Sequence, residues 1–172
     1  HYDSVGITRG LTTWVRTIDQ RRKQLLDAAA ELVQRAVPEP RAVDRDAALF
    51  EAQRILLAQG ITAAADMGTT LADWQTYRRA GDTGQLRIRI MAYAAGIDAM
   101  EIIGGTGPTP WLYEDRLRLN GVKLYLDGAL GSRGAWLKTP YADDAGNTGL
   151  PLLTDAQLRN MMSRAALENY QV

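Results

Sequence analysis

Apolar spacing in this chain switches repeatedly between a helical and an extended period, and that switching limits the fold more than any other feature. Leu25, Leu26, Ala29, Leu32, Val33 and Ala36 recur at helical spacing until Pro38 and Pro40 interrupt them. Ala48, Leu49, Ala52, Ile55 and Leu56 form a second helical stripe over 45–59, with Asp44 as its N-cap and Gly60 as its stop. The short apolar run 61–66 follows at once and reads as a strand. Thr70 and Asp73 have capping-box spacing and open a helix over 71–80. Ile88, Ile90, Ala92 and Ala94 alternate with Arg89, Met91 and Tyr93, which predicts a strand over 86–94. One or two helical turns are expected at 99–103, then a Gly/Pro loop at 104–110, an ambiguous stretch at 112–119 and a strand at 121–127. Thr154 and Gln157 cap a last helix to 168, with Leu158, Met161, Met162 and Ala165 facing inward, and 168–172 looks like the start of another strand. Alternation of this kind implies an α/β fold built on a parallel sheet. Residues 1–24 have no clear period, although 12–18 would fit a short strand.

Composition narrows the function. Twenty basic and twenty acidic residues cancel, so charge favours neither nucleic acid nor an anionic membrane as partner. No apolar run reaches the ~18 residues of a membrane span, and the first residues lack the pattern of a secretory signal. There is no cysteine, which excludes disulfides and thiolate metal sites and makes a cytoplasmic location the default. The single histidine is His1, whereas zinc and iron hydrolase sites usually take two or more imidazoles. The glycine loop at 104–110 lacks the Lys-Ser/Thr pair of a phosphate-binding loop, and no glycine-rich turn joins the 61–66 strand to its helix.

The stretch most suggestive of chemistry is Gly121-Val122-Lys123-Leu124-Tyr125-Leu126-Asp127-Gly128-Ala129-Leu130-Gly131-Ser132-Arg133-Gly134. As a strand it places Val122, Leu124 and Leu126 on one face and Lys123, Tyr125 and Asp127 on the other. Both faces of a strand inside a parallel sheet are covered, so a lysine and an aspartate there need partners. The residues alone also allow a lysine that snorkels to solvent or pairs with Asp127. The long polar segment that follows, 133–151, has the length of a functional loop.

These residues, with Pro140-Tyr141-Ala142-Asp143, Gly149, 165–172, 26–33 and 60–66, resemble the metal-dependent amidohydrolase superfamily, in the branch that contains N-substituted formamide deformylase. The resemblance covers about 25–172 and leaves 10–24 unmatched. It implies a distorted (β/α) barrel, in which 61–66, 86–94 and 121–127 are strands two, three and four and 168–172 begins strand five. An eight-stranded barrel takes ~250 residues. The expectation is therefore one segment, 1–172, of a longer barrel domain, inactive alone because the family's imidazole motifs fall outside it.

The resemblance also implies site residues. Lys123 matches the lysine that becomes carboxylated and bridges two metals. Burial keeps such an amine neutral, so that it can add carbon dioxide and become an anionic ligand. Metals held this way generate hydroxide near neutral pH and polarise a carbonyl. Asp127 is expected to hold the Lys123 region in place. Ser132 and Arg133 lie on the loop over the site, where Arg133 would clamp a carboxylate or orient a carbonyl. Asp66 ends its strand facing the site, as a lesser ligand candidate. No residue of the segment is expected to be catalytic by itself. The implied cofactor is one or two divalent ions, zinc first; the implied substrate is a small amide or formamide; and a homodimer is the expected assembly of the complete protein. The alternative is a non-catalytic α/β module that binds a small molecule or a protein through its strand ends.

Overall fold

The structure, a computed structural model, describes residues 37–172. The expected helix over 22–36, the short strand at 12–18 and His1 lie outside the described residues. Contacts divide the chain into two compact units, one of 39–126 with 153–172 and one that includes 127–152.

The first unit carries the α/β core. Helix α1 is Ala42–Ala58. It begins three residues earlier than expected, because Asp44 acts one turn inside the helix and not as its cap. The Asp44 carboxylate accepts the Arg41 backbone N–H at 3.2 Å and the Arg41 guanidinium at 2.8 Å. Gly60 has φ +76° and donates to Leu57 O at 3.0 Å, the left-handed stop its sequence position predicts. Strand β1 is Ala63–Thr69, so it runs past the end of the expected 61–66 strand. Helix α2, Leu71–Asp82, has the expected box: the Asp73 N–H donates to Thr70 Oγ1 and the Thr70 N–H to the Asp73 carboxylate, both at 3.2 Å. Strand β2 is Arg89–Ala95 and helix α3 is Ile97–Gly104. Strand β3 is Leu117–Lys123, and helix α4 is Asp155–Leu167 with Thr154 as cap.

The three strands are parallel in the order β1-β2-β3. Gln171 adds an isolated parallel bridge to Gly121, consistent with the extended start expected at 168–172. Ile90, Ala92 and Ala94 of β2 and Leu117, Leu119 and Val122 of β3 pack with Trp74, Leu86, Met100 and Ala165 into one core. A Leu side chain fully removed from water in this way contributes about 1.5–3 kcal/mol. Met161 and Leu158 are half-buried beside α4's inward Ala165, whereas Met162, expected inside, is exposed. It lies next to Met161 in a helix, about 100° away from it, and so turns off the buried stripe.

The expected 121–127 strand is displaced. Extended pairing runs from 117 to 123 because Leu117 and Leu119 already supply the core side, and the ladder stops at Lys123. Leu124 is half-buried against the core, but Leu126 is 44% exposed, so the shared face expected for Val122, Leu124 and Leu126 does not form.

The 127–152 unit is irregular but closely bonded. The Leu137 N–H donates to Thr148 O at 2.8 Å, the Tyr141 N–H to Asn147 O at 3.0 Å and the Tyr141 hydroxyl to Ala135 O at 2.8 Å. Gly149 is obligatory: its φ is +76°, and a Cβ there would collide with the Ala135 carbonyl.

Candidate active-site face of the sheet

Lys123 is the last residue of β3, at the carboxyl end of the parallel sheet. It pairs with Ala95 of β2, on the face opposite the one that carries Ala94 and Val122 into the core. Its side chain is half-buried, and Nζ lies 4.8 Å from the centroid of the Tyr125 ring. A cation over an aromatic face is held by the ring quadrupole. Tyr125 itself is 59% exposed, and its hydroxyl lies near Gly68 of β1. The same face carries Met67, Met91 and Tyr93.

Asp66 does not end its strand. It sits in the middle of β1, and its Oδ2 accepts the Tyr77 hydroxyl of α2 at 2.9 Å and the Thr69 hydroxyl at 2.7 Å. Its carboxylate thus engages the helix side of the sheet, opposite the Lys123 face. Burial, and then the Asp66 charge, push the Tyr77 hydroxyl above its ordinary pKa, so the phenol stays a donor.

The remaining predicted positions share the 127–152 unit. Asp127 Oδ2 accepts the Trp136 N–H at 2.9 Å, and Asp127 bridges to Pro151. Its bonds in this unit therefore close the loop's base. Ser132, in the short 3-10 turn Leu130–Ser132, donates to Ala129 O at 3.1 Å. Arg133, at φ +58°, makes a two-point pair with Asp143, with Nη2–Oδ2 at 2.7 Å and Nε–Oδ1 at 3.1 Å. Its hydrogen bonds hold the Asp143 carboxyl below its ordinary pKa.

Sequence reasoning missed three groups: Tyr77 and Thr69 around Asp66, Tyr125 beside Lys123, and a Tyr93–Asn120–Gln171 cluster on the Lys123 face. Tyr93 Oη donates to Gln171 Oε1 at 2.6 Å, and Asn120 Nδ2 donates to both, at 2.9 and 2.7 Å. One signal was available. Asn120 interrupts a Leu-x-Leu alternation that Val122 resumes out of phase.

A metal is the cofactor to test against these residues. Among the described residues no three His, Cys, Asp or Glu side chains gather closely enough to hold an ion. Lys123, the expected ligand position, therefore has no such cluster beside it among the described residues.

Residues 4–172 match the sequence profile described as the Amidohydrolase family. The chain belongs to the amidohydrolase family. Among its relatives is the protein LONG AFTER FAR-RED 3 of Arabidopsis thaliana, 31% identical over 164 residues that cover 86% of this chain and 27% of that protein. An uncharacterized metal-dependent hydrolase from Pyrococcus horikoshii OT3 superposes with a TM-score of 0.70 at 27% identity, over 84% of this chain and 29% of that one. A second, from Pyrococcus furiosus, also gives 0.70, at 24% identity over 84% and 30% of the two chains, and shares the fold. This amidohydrolase chain thus spans less than a third of the length of the relatives it matches.

Proposed function

We propose that this amidohydrolase chain is part of a metal-dependent hydrolase of non-peptide C–N bonds, acting on a small amide or formamide as in the formamide deformylase branch. In this reading the three strands are strands two to four of a (β/α) barrel. The observation that carries it is the position of Lys123, the terminal residue of a parallel strand, at the carboxyl end of the sheet and on the face turned from the helices. Barrels of this class gather reactive groups at that end. In its unprotonated form the Lys123 amine would add carbon dioxide through its lone pair, release one proton and become a carbamate, an oxygen ligand for one or two divalent ions, zinc first. The other ligands come from sequence outside this chain, so the chain alone is inactive. Asp127 ties the base of the following loop, in which Ser132 and Arg133 are the candidate substrate-binding residues; Asp66 supports β1 from the helix side. The buried Arg118 Nε, on the Lys123 face and without a hydrogen-bond partner among the described residues, supports enclosure of that face by further strands. In this reading the complete protein is a homodimer in the cytoplasm.

The test is a chimera in which this chain replaces the matching segment of the Pyrococcus horikoshii hydrolase. Metal content and amide or formamide hydrolysis are measured with Lys123 and with Lys123→Ala. Metal bound by the Lys123 chimera and lost in Lys123→Ala is the expected result. Equal metal content in both would refute the ligand role, and turnover by the 172-residue chain alone would refute its incompleteness.

A further inference from the structure

Simple alternation would put Lys123 in the wrong place. Leu117 and Leu119 point into the helix-side core, so an unbroken strand would carry residue 121 and then residue 123 into the same core. The structure avoids this with one extra residue. Ala92 pairs with Leu119 but the next residue, Tyr93, pairs with Gly121, which leaves Asn120 unmatched in β3. Beyond this bulge the faces exchange: Val122, 1% exposed, joins the core, and Lys123 emerges opposite. A β-bulge costs ladder bonds, so it persists only where something holds it.

What holds it is the cluster on the Lys123 face. Asn120, the extra residue, donates to both Tyr93 Oη and Gln171 Oε1, and Tyr93 Oη donates to the same Gln171 oxygen. Backbone bonds close the other side: the Gln171 N–H donates to Asn120 O at 3.2 Å and the Val122 N–H to Gln171 O at 2.8 Å. Gly121 lets this happen, because a Cβ there would meet the Gln171 carbonyl and stand 2.8 Å from Tyr93 Cδ1. We propose that Tyr93, Asn120 and Gln171 are positioning residues that pin the β3 bulge and thereby turn Lys123 out of the hydrophobic core onto the candidate active-site face. The importance of that turn rests on the ligand reading of Lys123; the turn itself does not.

The chain has three lysines, Lys23, Lys123 and Lys138, and Lys138 is exposed and serves as an internal reference. The experiment is reductive ¹³C-methylation of the 172-residue chain, read by mass spectrometry and NMR, together with amide hydrogen exchange at Val122. Replacing Asn120 and Gln171 together with Ala removes the pin but keeps the extra residue, and Lys123 modification is expected to fall at least about tenfold relative to Lys138, since a one-residue slip into simple alternation exchanges the faces. Tyr93→Phe keeps the ring and removes only the hydroxyl. It is expected to speed exchange at Val122 about fivefold, the effect of losing one ordinary hydrogen bond, and to split or broaden the Lys123 methyl signal beside Tyr125. A folded Asn120→Ala/Gln171→Ala variant whose Lys123-to-Lys138 ratio matches the parent overturns the proposal. If the double variant does not fold, Tyr93→Phe decides: parental exchange and an unchanged Lys123 signal overturn it. Neither readout requires a metal, so a Lys123 that binds none would sink the function proposed above and leave the pin intact.

Discussion

Asp66 shows how much a single residue's meaning depends on what faces it. From the sequence it is an acid closing an apolar run, and a strand-end ligand position is a reasonable expectation. In the fold it accepts two hydroxyls, one from Thr69 and one from Tyr77, eleven residues away on α2. A half-buried carboxylate bonded this way ties strand to helix. Tyr77→Phe, which leaves the ring in place, should therefore destabilise the chain by about 1.5–3 kcal/mol, the range for hydrogen bonds to charged groups, measured by urea unfolding. The Arg133–Asp143 pair makes a pH prediction. Asp143 is held below its ordinary pKa by Arg133 hydrogen bonds. Its contribution is thus complete above the unfolded carboxylate value of about 4 and is lost as pH falls through the lower folded value. NMR titration should find the Asp143 midpoint below that of an unpaired aspartate, and Arg133→Gln should return it to the ordinary range.

At the level of elements, local chemistry was readable where it is local. The Thr70–Asp73 and Thr154–Gln157 boxes formed as their spacing requires, because a cap needs only residues within one turn. Thr70→Ala should cost about 1 kcal/mol in a denaturant melt without altering the strands. Strand limits were less readable. β1 runs to Thr69 and β3 begins at Leu117 because each end is set by the neighbouring strand's ladder, and no residue inside either segment records that neighbour. β1 also carries an irregularity against β2, between Met67 and Thr69, at Gly68 with φ +125°. Both outer strands therefore gain a residue on β2 near the carboxyl end of the sheet. Gly121→Ala should be poorly tolerated, with a loss of about 1–3 kcal/mol from forced displacement of the Gln171 carbonyl and Tyr93 ring, seen as a lower urea midpoint.

Residues 39–126 with 153–172 present a parallel α/β unit with its helices packed on one face of the sheet, in a family to which residues 4–172 belong. No helix among the described residues is long and apolar enough to cross a membrane. The proposed division of ligands between this chain and sequence outside it has a thermodynamic consequence. An ion that binds the folded state stabilises it by mass action. The thermal midpoint of the 172-residue chain should then be indifferent to both chelator and added zinc, as followed by circular dichroism. A zinc-dependent rise of several degrees would assign an internal metal site and contradict the division of ligands proposed here.

Periodicity and capping spacing determined the alternation of helices and strands and the parallel sheet, since these depend on neighbours a few residues apart, and the 121–134 motif carried the family resemblance. The direction in which Lys123 points was decided only in three dimensions. It depends on one unmatched residue in β3, held by hydrogen bonds between groups 27 and 51 positions apart in the chain. Side chains alternate along a strand, so one extra residue reverses every face beyond it, and only the adjoining strand reveals that the residue is extra.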